Sequence, residues 1–161
     1  MDKTRLEALK QKRLDLKRVE RERSMMDLSS DVIQTLDSKS IVYSLDFESQ
    51  VWEWICKSFH VHSWGQINWG EVARKNKMAW ESEADRVELY EKIILYSQLA
   101  DCLVTVIWSN AERPAFTMPL KDTKTIAEEL FDEDLDTWIV SVENGWCIEC
   151  HHNGHLAIAL T

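Results

Sequence analysis

The most regular pattern of hydrophobic and polar positions lies in residues 137–161, at the end of the chain. Three runs rich in Val, Ile, Trp and Leu are separated there by two Asn-Gly pairs, Asn144-Gly145 and Asn153-Gly154. Asn-Gly between such runs is the strongest short-range hairpin signal, because a type I′ turn needs positive φ at both central residues. The pattern predicts a three-stranded antiparallel meander.

Two-residue turns would also fix the register of this meander. They place Glu149 opposite Val140 on the first strand and opposite Ile158 on the third. They place His152 opposite His155 across the second turn. One face of the meander then carries fewer polar side chains than the other, and we assign it to the core. It carries Trp138, Val140, Val142, Cys147, Leu156, Ile158 and Leu160, with Glu149 and His151 on its middle strand.

Periodicity predicts the remaining elements of the body. Alternation or continuous apolar runs predict strands over 40–47, 102–108 and 115–120, and helical spacing predicts helices over 48–59, 83–99 and about 123–131. Residues 60–82 are the least regular, with at most a short helix from Asn68. The element order predicts an α+β fold: a mainly antiparallel, curved sheet that ends in the meander, with helices packed on one face.

A long N-terminal helix is predicted from about Lys3 into the high twenties, with Asp2 as its cap and no Gly or Pro to interrupt it. Its apolar positions are sparse and resemble an interrupted heptad seam. We divide the chain into this helical segment, 1–36, and a single α+β domain, 37–161. We expect the segment to pack on the body. Pairing with a second copy as a homodimer, or contact with a partner, are the alternatives.

Composition narrows the class of protein. No apolar run is long enough to span a membrane, and the charged N-terminus lacks the apolar core of a signal peptide. The four cysteines, Cys56, Cys102, Cys147 and Cys150, show no disulfide framework. We therefore expect a cytoplasmic protein with free thiols and no contact with a membrane.

Charge is unevenly distributed along the chain. Residues 1–24 hold nine Lys/Arg and five Asp/Glu, a net charge of +4, whereas residues 25–161 hold ten and 23, a net charge of −13. An acidic body repels nucleic acid and attracts basic proteins. Solubility alone is the plainer explanation of the acidity.

The last strands contain a sequence, C-x-x-C-H-H-x-x-H, that suggests a zinc site at Cys147, Cys150, His151, His152 and His155. Residues three apart on a strand point to opposite faces, so Cys147 and Cys150 cannot share a metal. No metal or cofactor is therefore expected. His152, His155 and Cys150, predicted on one face, leave weak metal binding as an alternative, although a solvated histidine pair at a hairpin tip is commoner.

Glu149 and His151 lie two residues apart on the predicted core face. An unpaired buried carboxylate is costly, so Glu149 is expected to bond His151, a Trp or Tyr donor, or an arginine. A structural polar pair is the plainer interpretation, and an acid/base pair is the functional one. No phosphate-binding loop, G-x-S-x-G or H-E-x-x-H motif accompanies it.

Eight tryptophans are more than a core of this size requires. Trp54, Trp108 and Trp138 lie on apolar patterns, whereas Trp52, Trp64, Trp69, Trp80 and Trp146 are harder to bury. Tryptophan is enriched at binding hot spots. Together with the acidic stretch 128–136, these residues predict a protein-binding surface with aromatic anchors and an acidic rim.

A small acidic α+β protein, rich in Trp and ending in DTWIVSVENGWCIECHHNGHLAIALT, resembles bacterial immunity proteins of contact-dependent inhibition and other polymorphic toxin systems. The resemblance covers about residues 100–161 and is one of architecture. It implies binding to a cognate toxin domain, often a basic nuclease, and blocking of the toxin's active site.

Two hypotheses follow. The first is a non-enzymatic inhibitor of a basic protein, with no nucleic-acid partner. Its predicted binding residues are Glu128, Asp132, Glu133, Asp134, Asp136, Trp146, His152 and His155. The second is a small metal-dependent hydrolase or metal sensor. Its residues are Glu149, Cys150, His151, His152 and His155.

Overall fold

The computed structural model describes residues 3–161, which form six helices and one seven-stranded sheet. The helices are α1 (Lys3–Leu28), α2 (Ser30–Ser38), α3 (Val51–Ser58), α4 (Asp85–Tyr96), α5 (Leu120–Thr125) and α6 (Ala127–Asp132). The strands are β1 (Ser44–Asp46), β2 (Arg74–Ala79), β3 (Leu103–Trp108), β4 (Ala115–Pro119), β5 (Thr137–Ser141), β6 (Trp146–His151) and β7 (His155–Leu160). All neighbours are antiparallel, in the order β1-β4-β3-β5-β6-β7-β2. The predicted α+β class, long N-terminal helix and terminal meander are confirmed. The predicted cap, Asp2, lies outside the described residues.

The meander is buried on both faces, because different segments cover each side of the sheet. The face that carries Ile139, Ile148 and Leu156 is covered by helices α2, α4, α5 and α6. The buried side chains of these helices and of this face form the larger core cluster. Helix α3 and residues 59–72 pack on the face that carries Val140 and Cys147, and form a smaller cluster. Every residue of β5 and β6 is therefore buried.

The predicted register of the first hairpin is wrong by two residues. Val140 lies opposite Cys147, and Glu149 lies opposite Trp138, so the loop contains four residues, 142–145. Only the glycine of the Asn-Gly pair has positive φ, +70° at Gly145, whereas a type I′ turn needs positive φ at both residues. A shift of two keeps each side chain on its predicted face.

The predicted register of the second hairpin is wrong by one residue. This error has a larger consequence than that in the first hairpin. His151, rather than His152, lies opposite His155, and the loop has three residues, 152–154, ending at Gly154 with φ +99°. Three-residue loops that end in a left-handed glycine are the next common hairpin type. A slip of one residue exchanges the faces of a whole strand. Leu156 and Ile158 therefore face the larger cluster, not the Glu149 side as predicted.

Strand β2 lies within the segment for which we predicted at most a short helix from Asn68, so that prediction is wrong. It forms one edge of the sheet beside β7 and carries Arg74, Lys75 and Lys77. Cationic side chains are common on edge strands because they discourage pairing with other chains. The same charges removed the alternation by which a strand is recognised in sequence.

Helix α1 contacts the body near its C-terminal end. Residues 3–21 are exposed, Met25 is the buried residue of the helix, and the Arg113 guanidinium donates a hydrogen bond to the Leu28 carbonyl. Within the predicted segment 1–36, these last turns of α1 and the buried residues Val32 and Leu36 of α2 contact the body. The boundary at residue 36 and pairing with a second copy stay predictions. None of the helices within 3–161 combines the length and apolar character that crossing a membrane requires.

Candidate functional site

A groove of about 470 Å³ lies between α3, the loop 109–113 and the last turns of α1. Ile107 and Ala115 of the sheet are among the residues that line it. Its other lining residues are mainly aromatic or charged. They include Trp52, Trp64, Trp108, Trp138, Asp46, Glu48, Glu53, Asp136, Arg21 and Arg113. An opening of this composition suits a protein side chain with an apolar stem and a positive end.

Two tryptophans define the aromatic part of the groove. Trp52 of α3 packs edge-on against Trp138 with ring centroids 5.0 Å apart, so its position is fixed by the sheet. Trp64 stands at the rim with 66% of its surface exposed. It stacks on His62 at 4.1 Å and donates a 3.0 Å hydrogen bond to Gln66 Oε1. A pre-oriented, exposed indole is typical of a binding anchor.

The charged part of the groove is acidic, because its two arginines already have carboxylate partners. Arg113 pairs with Glu133 and Asp134, and Arg21 lies 4.0 Å from Glu48. Asp46 and Glu53 are exposed acids at the rim. A cationic group that enters the groove therefore meets a net negative field.

Beyond Ile107 and Ala115 of the groove, the same face of the sheet carries Thr105 and Thr117, which lie opposite each other. We call this part the open sheet face; it comprises Ser44, Leu103, Thr105, Thr117 and Pro119, which are exposed or half-buried. Thr117 lies between Ser44 and Thr105, and Leu103 lies opposite Pro119. Leu103 is 66% exposed on this face, and Val42 and Val142, in the segments just before β1 and just after β5, are 82% and 47% exposed. Exposed apolar side chains gathered at one place on a sheet mark an interaction surface more often than scattered ones do.

The segment that carries Trp64 is held in place by Glu149. This carboxylate is fully buried and accepts hydrogen bonds from Trp69 Nε1 (2.8 Å), the Ile67 amide (3.0 Å), Trp138 Nε1 (2.9 Å) and His155 Nε2 (2.8 Å). Burial alone would raise the pKa of this carboxyl, but the hydrogen bonds from His155, Ile67, Trp69 and Trp138 hold it below its ordinary value. Glu149 is therefore an ionised anchor that ties residues 67–69 to the sheet.

Glu149 and His151 are both buried, but the histidine bonded to Glu149 is His155. The His151 ring stacks on His155 at 5.5 Å and on His152 at 4.4 Å. Burial lowers the pKa of His151, against the opposing effect of Asp136, so its imidazole is neutral at neutral pH. Glu149, His151 and His155 are all buried, so they do not form a solvent-exposed acid/base pair.

Most of the predicted acidic binding stretch is engaged within the protein. Asp132 pairs with Arg86, Glu133 and Asp134 pair with Arg113, and Asp136 is buried beside His152. Glu128 is exposed on α6. Arg86 and Arg113 lie outside the acidic stretch 128–136, so the sequence of that stretch did not show that its carboxylates form ion pairs within the protein.

The prediction that Trp146 is an exposed aromatic anchor is wrong. Its indole is 3% exposed within the larger cluster, whereas Trp64 is the exposed one. The predicted grouping of His152, His155 and Cys150 is also wrong: Cys150 faces the larger cluster and His155 bonds Glu149 on the opposite face. Cys147 and Cys150 lie on opposite faces, as predicted.

Sequence reasoning missed the acids of the groove, Asp46, Glu48 and Glu53. The excess of tryptophan did point to Trp52 and Trp64 as hard to bury. Periodicity does not show which tryptophans a helix distant in sequence will cover. Which of them are exposed could therefore be identified only from the tertiary structure.

The chain matches the model of a known protein family. The family described as CdiI immunity protein EcoliA0-like matches residues 26–159, which include all the strands and most of the helices. The match begins near the end of α1, so most of that helix lies outside it. No curated protein matches the chain.

Proposed function

Because the chain belongs to the CdiI immunity protein family, we propose that it inhibits a cognate toxin domain by binding it through the groove and the open sheet face. The inhibition needs no chemistry of its own, since occupation of the toxin's active site is sufficient. We further propose that it acts in the cytoplasm, where its cysteines stay reduced.

The observation that carries the proposed surface is the continuity of the groove with the open sheet face. Trp64 offers an aromatic anchor, and Leu103 on the open sheet face offers apolar area beyond it. An anchor surrounded by less critical contacts that exclude water is the usual anatomy of a tight interface. The opposite face of the sheet is covered by α2, α4, α5 and α6.

The partner that we propose is a basic domain of the nuclease class. A nuclease must hold a polyanion and therefore presents cationic surface around its active site. The body, with a net charge of −13 over residues 25–161, attracts such a surface, and Asp46 and Glu53 direct it to the groove. Association should accordingly slow as the salt concentration rises.

The test compares two charge reversals on helices that cover opposite faces. Glu53→Lys changes an exposed acid at the groove, and Glu128→Lys makes the same change on α6. Binding to the purified cognate toxin domain is measured by surface plasmon resonance at two salt concentrations. We expect Glu53→Lys to reduce the association rate and its salt dependence, and Glu128→Lys to change both little. The reverse result would place the interface on the acidic stretch.

Trp64→Ala tests the anchor separately. We expect it to weaken binding about thirtyfold, or 2 kcal/mol, mainly through faster dissociation. Trp64 is exposed, so the melting temperature should stay within a few degrees of that of the wild type. Unchanged affinity of this variant would remove the groove from the interface.

A further inference from the structure

A second cluster of chemically active side chains lies where β5 begins and the loop 152–154 leaves β6. His152 Nδ1 is 2.8 Å from Asp136 Oδ1, and His151 Nε2 is 3.7 Å from the same oxygen. One ligand atom from each of these residues lies within 4.8 Å of the others. We propose that Asp136, His151 and His152 form a site for a divalent transition-metal ion, with Zn²⁺ as the best fit.

The donor set selects the class of ion. Two imidazoles and one carboxylate suit Zn²⁺ and its neighbours in the first transition row, whereas Mg²⁺ and Ca²⁺ prefer sites built only of oxygen. Zinc bonds to nitrogen and oxygen measure about 2.0–2.2 Å, so tetrahedral ligand atoms lie roughly 3.3 Å apart. The observed separations of 2.8 and 3.7 Å lie on either side of that value.

Two of the three ligands are already held in place. Asp136 and His151 have side chains that are 10% and 6% exposed, and the Asp136 carboxylate also accepts the His152 amide at 2.8 Å. His152 has a side chain that is 55% exposed, so it can adjust to the ion and leaves it reachable from solvent. Three protein ligands leave a fourth position open to water.

Metal binding has two identifiable costs: the ion replaces the 2.8 Å hydrogen bond between His152 Nδ1 and Asp136 Oδ1, and it occupies His151 Nε2. The proton of a neutral imidazole must then reside on Nδ1, which now accepts a hydrogen bond from the Asn153 amide at 3.3 Å. That contact is longer than a usual N–H···acceptor distance, so its loss is tolerable. The metal would link the start of β5 to the loop 152–154 and stabilise the end of the meander.

The test uses full-length, untagged protein and zinc chloride. We expect saturable binding of one Zn²⁺ per chain by isothermal titration calorimetry, together with a higher melting temperature. His152→Ala and Asp136→Asn should each weaken binding about tenfold or more and remove the thermal shift. Asn keeps an oxygen that can accept the His152 amide, so the second variant should fold.

His60→Ala is the matched control. His60 Nδ1 lies 3.0 Å from Glu71, so it offers one histidine and one carboxylate on the surface, and no third His, Cys, Asp or Glu ligand among the described residues lies within 4.8 Å of both. This variant should bind Zn²⁺ like the wild type, and Mg²⁺ should shift the melting temperature of neither. Absence of saturable zinc binding, binding that survives both site variants, or binding lost in His60→Ala would each overturn the site. None of these outcomes depends on whether the protein binds a toxin.

Discussion

Glu149 and Trp69 are 80 residues apart in the chain, and a 2.8 Å hydrogen bond from the indole N–H to the buried carboxylate joins them. The neighbouring Ile67 amide bonds the other oxygen at 3.0 Å. The edge of the groove therefore depends on one charge inside the sheet.

Glu149→Gln should destabilise the fold by about 2–5 kcal/mol. An amide keeps the shape of the side chain but places an NH₂ group against donors that need an acceptor. The free energy of unfolding, measured in urea, checks this. Glu143→Gln is the control, since Glu143 is exposed in the first loop of the meander and should change stability by less than about 0.5 kcal/mol. Equal stabilities of the two variants would contradict the anchoring role of Glu149.

Gly145→Ala should cost more stability than Gly65→Ala. Both glycines have positive φ, which costs a residue with a Cβ about 1–3 kcal/mol. At Gly145 the new methyl group would also lie 2.3 Å from Thr161 Oγ1, whereas nothing lies within 4 Å at Gly65. Thr161 would have to rotate and lose its 3.0 Å hydrogen bond to the Gly145 carbonyl.

We expect the excess at Gly145 to be about 1 kcal/mol, the value of one hydrogen bond. Thermal unfolding of the two single variants measures it. In a Thr161→Ala background the excess should disappear, since the steric conflict is then removed. An excess that persists there would mean that the loop conformation itself, and not Thr161, resists the substitution.

Thiol reactivity should separate the cysteines by their burial. Burial raises the pKa of the Cys150 thiol to about 12 and that of Cys147 well above its ordinary value, so neither forms thiolate in the native protein. Cys56 is exposed, although partial burial and Glu53 raise its pKa as well. A disulfide reagent should therefore modify the exposed Cys56 first, the half-buried Cys102 more slowly, and all four thiols after unfolding in urea. Cys56→Ser should abolish that first phase; a first phase that persists would contradict the assignment.

Leu103→Ser should weaken toxin binding about tenfold if the open sheet face belongs to the interface. Leu95→Ser is the matched control, because Leu95 is 70% exposed on α4 and Leu103 is 66% exposed on β3. Both changes remove exposed apolar surface, so both should leave the melting temperature nearly unchanged. Calorimetric titration with the toxin domain distinguishes them. A loss confined to Leu95→Ser would move the interface to the helical side.

The class of the fold was predictable because the second half of the chain keeps the periodicity of its elements. The face on which each residue of β7 lies was not predictable, because it depends on whether the second loop has two residues or three. This difference of one residue decides which face Leu156 and Ile158 occupy. That slip also explains the prediction for Trp146. The sheet face that carries Trp146 was predicted to be exposed because the apolar residues of β7, Leu156 and Ile158, had been assigned to the opposite face.

The groove was less predictable than the fold. It collects side chains from α1, β1, α3, the loop 109–113 and the ends of β3 and β5, and no local pattern links these segments. Asp136, His151 and His152 illustrate the same limit. The two histidines drew attention in the sequence, but the carboxylate beside them seemed to belong to an acidic stretch.

The exposure of residues 3–21 gives the molecule an elongated outline. A rise of 1.5 Å per residue makes the 26-residue helix α1 about 39 Å long. A compact chain of 161 residues would have a radius of gyration of about 15 Å. Small-angle X-ray scattering should therefore give a larger radius and a distance distribution with an extended tail, and both should revert towards the compact values when the helix is removed.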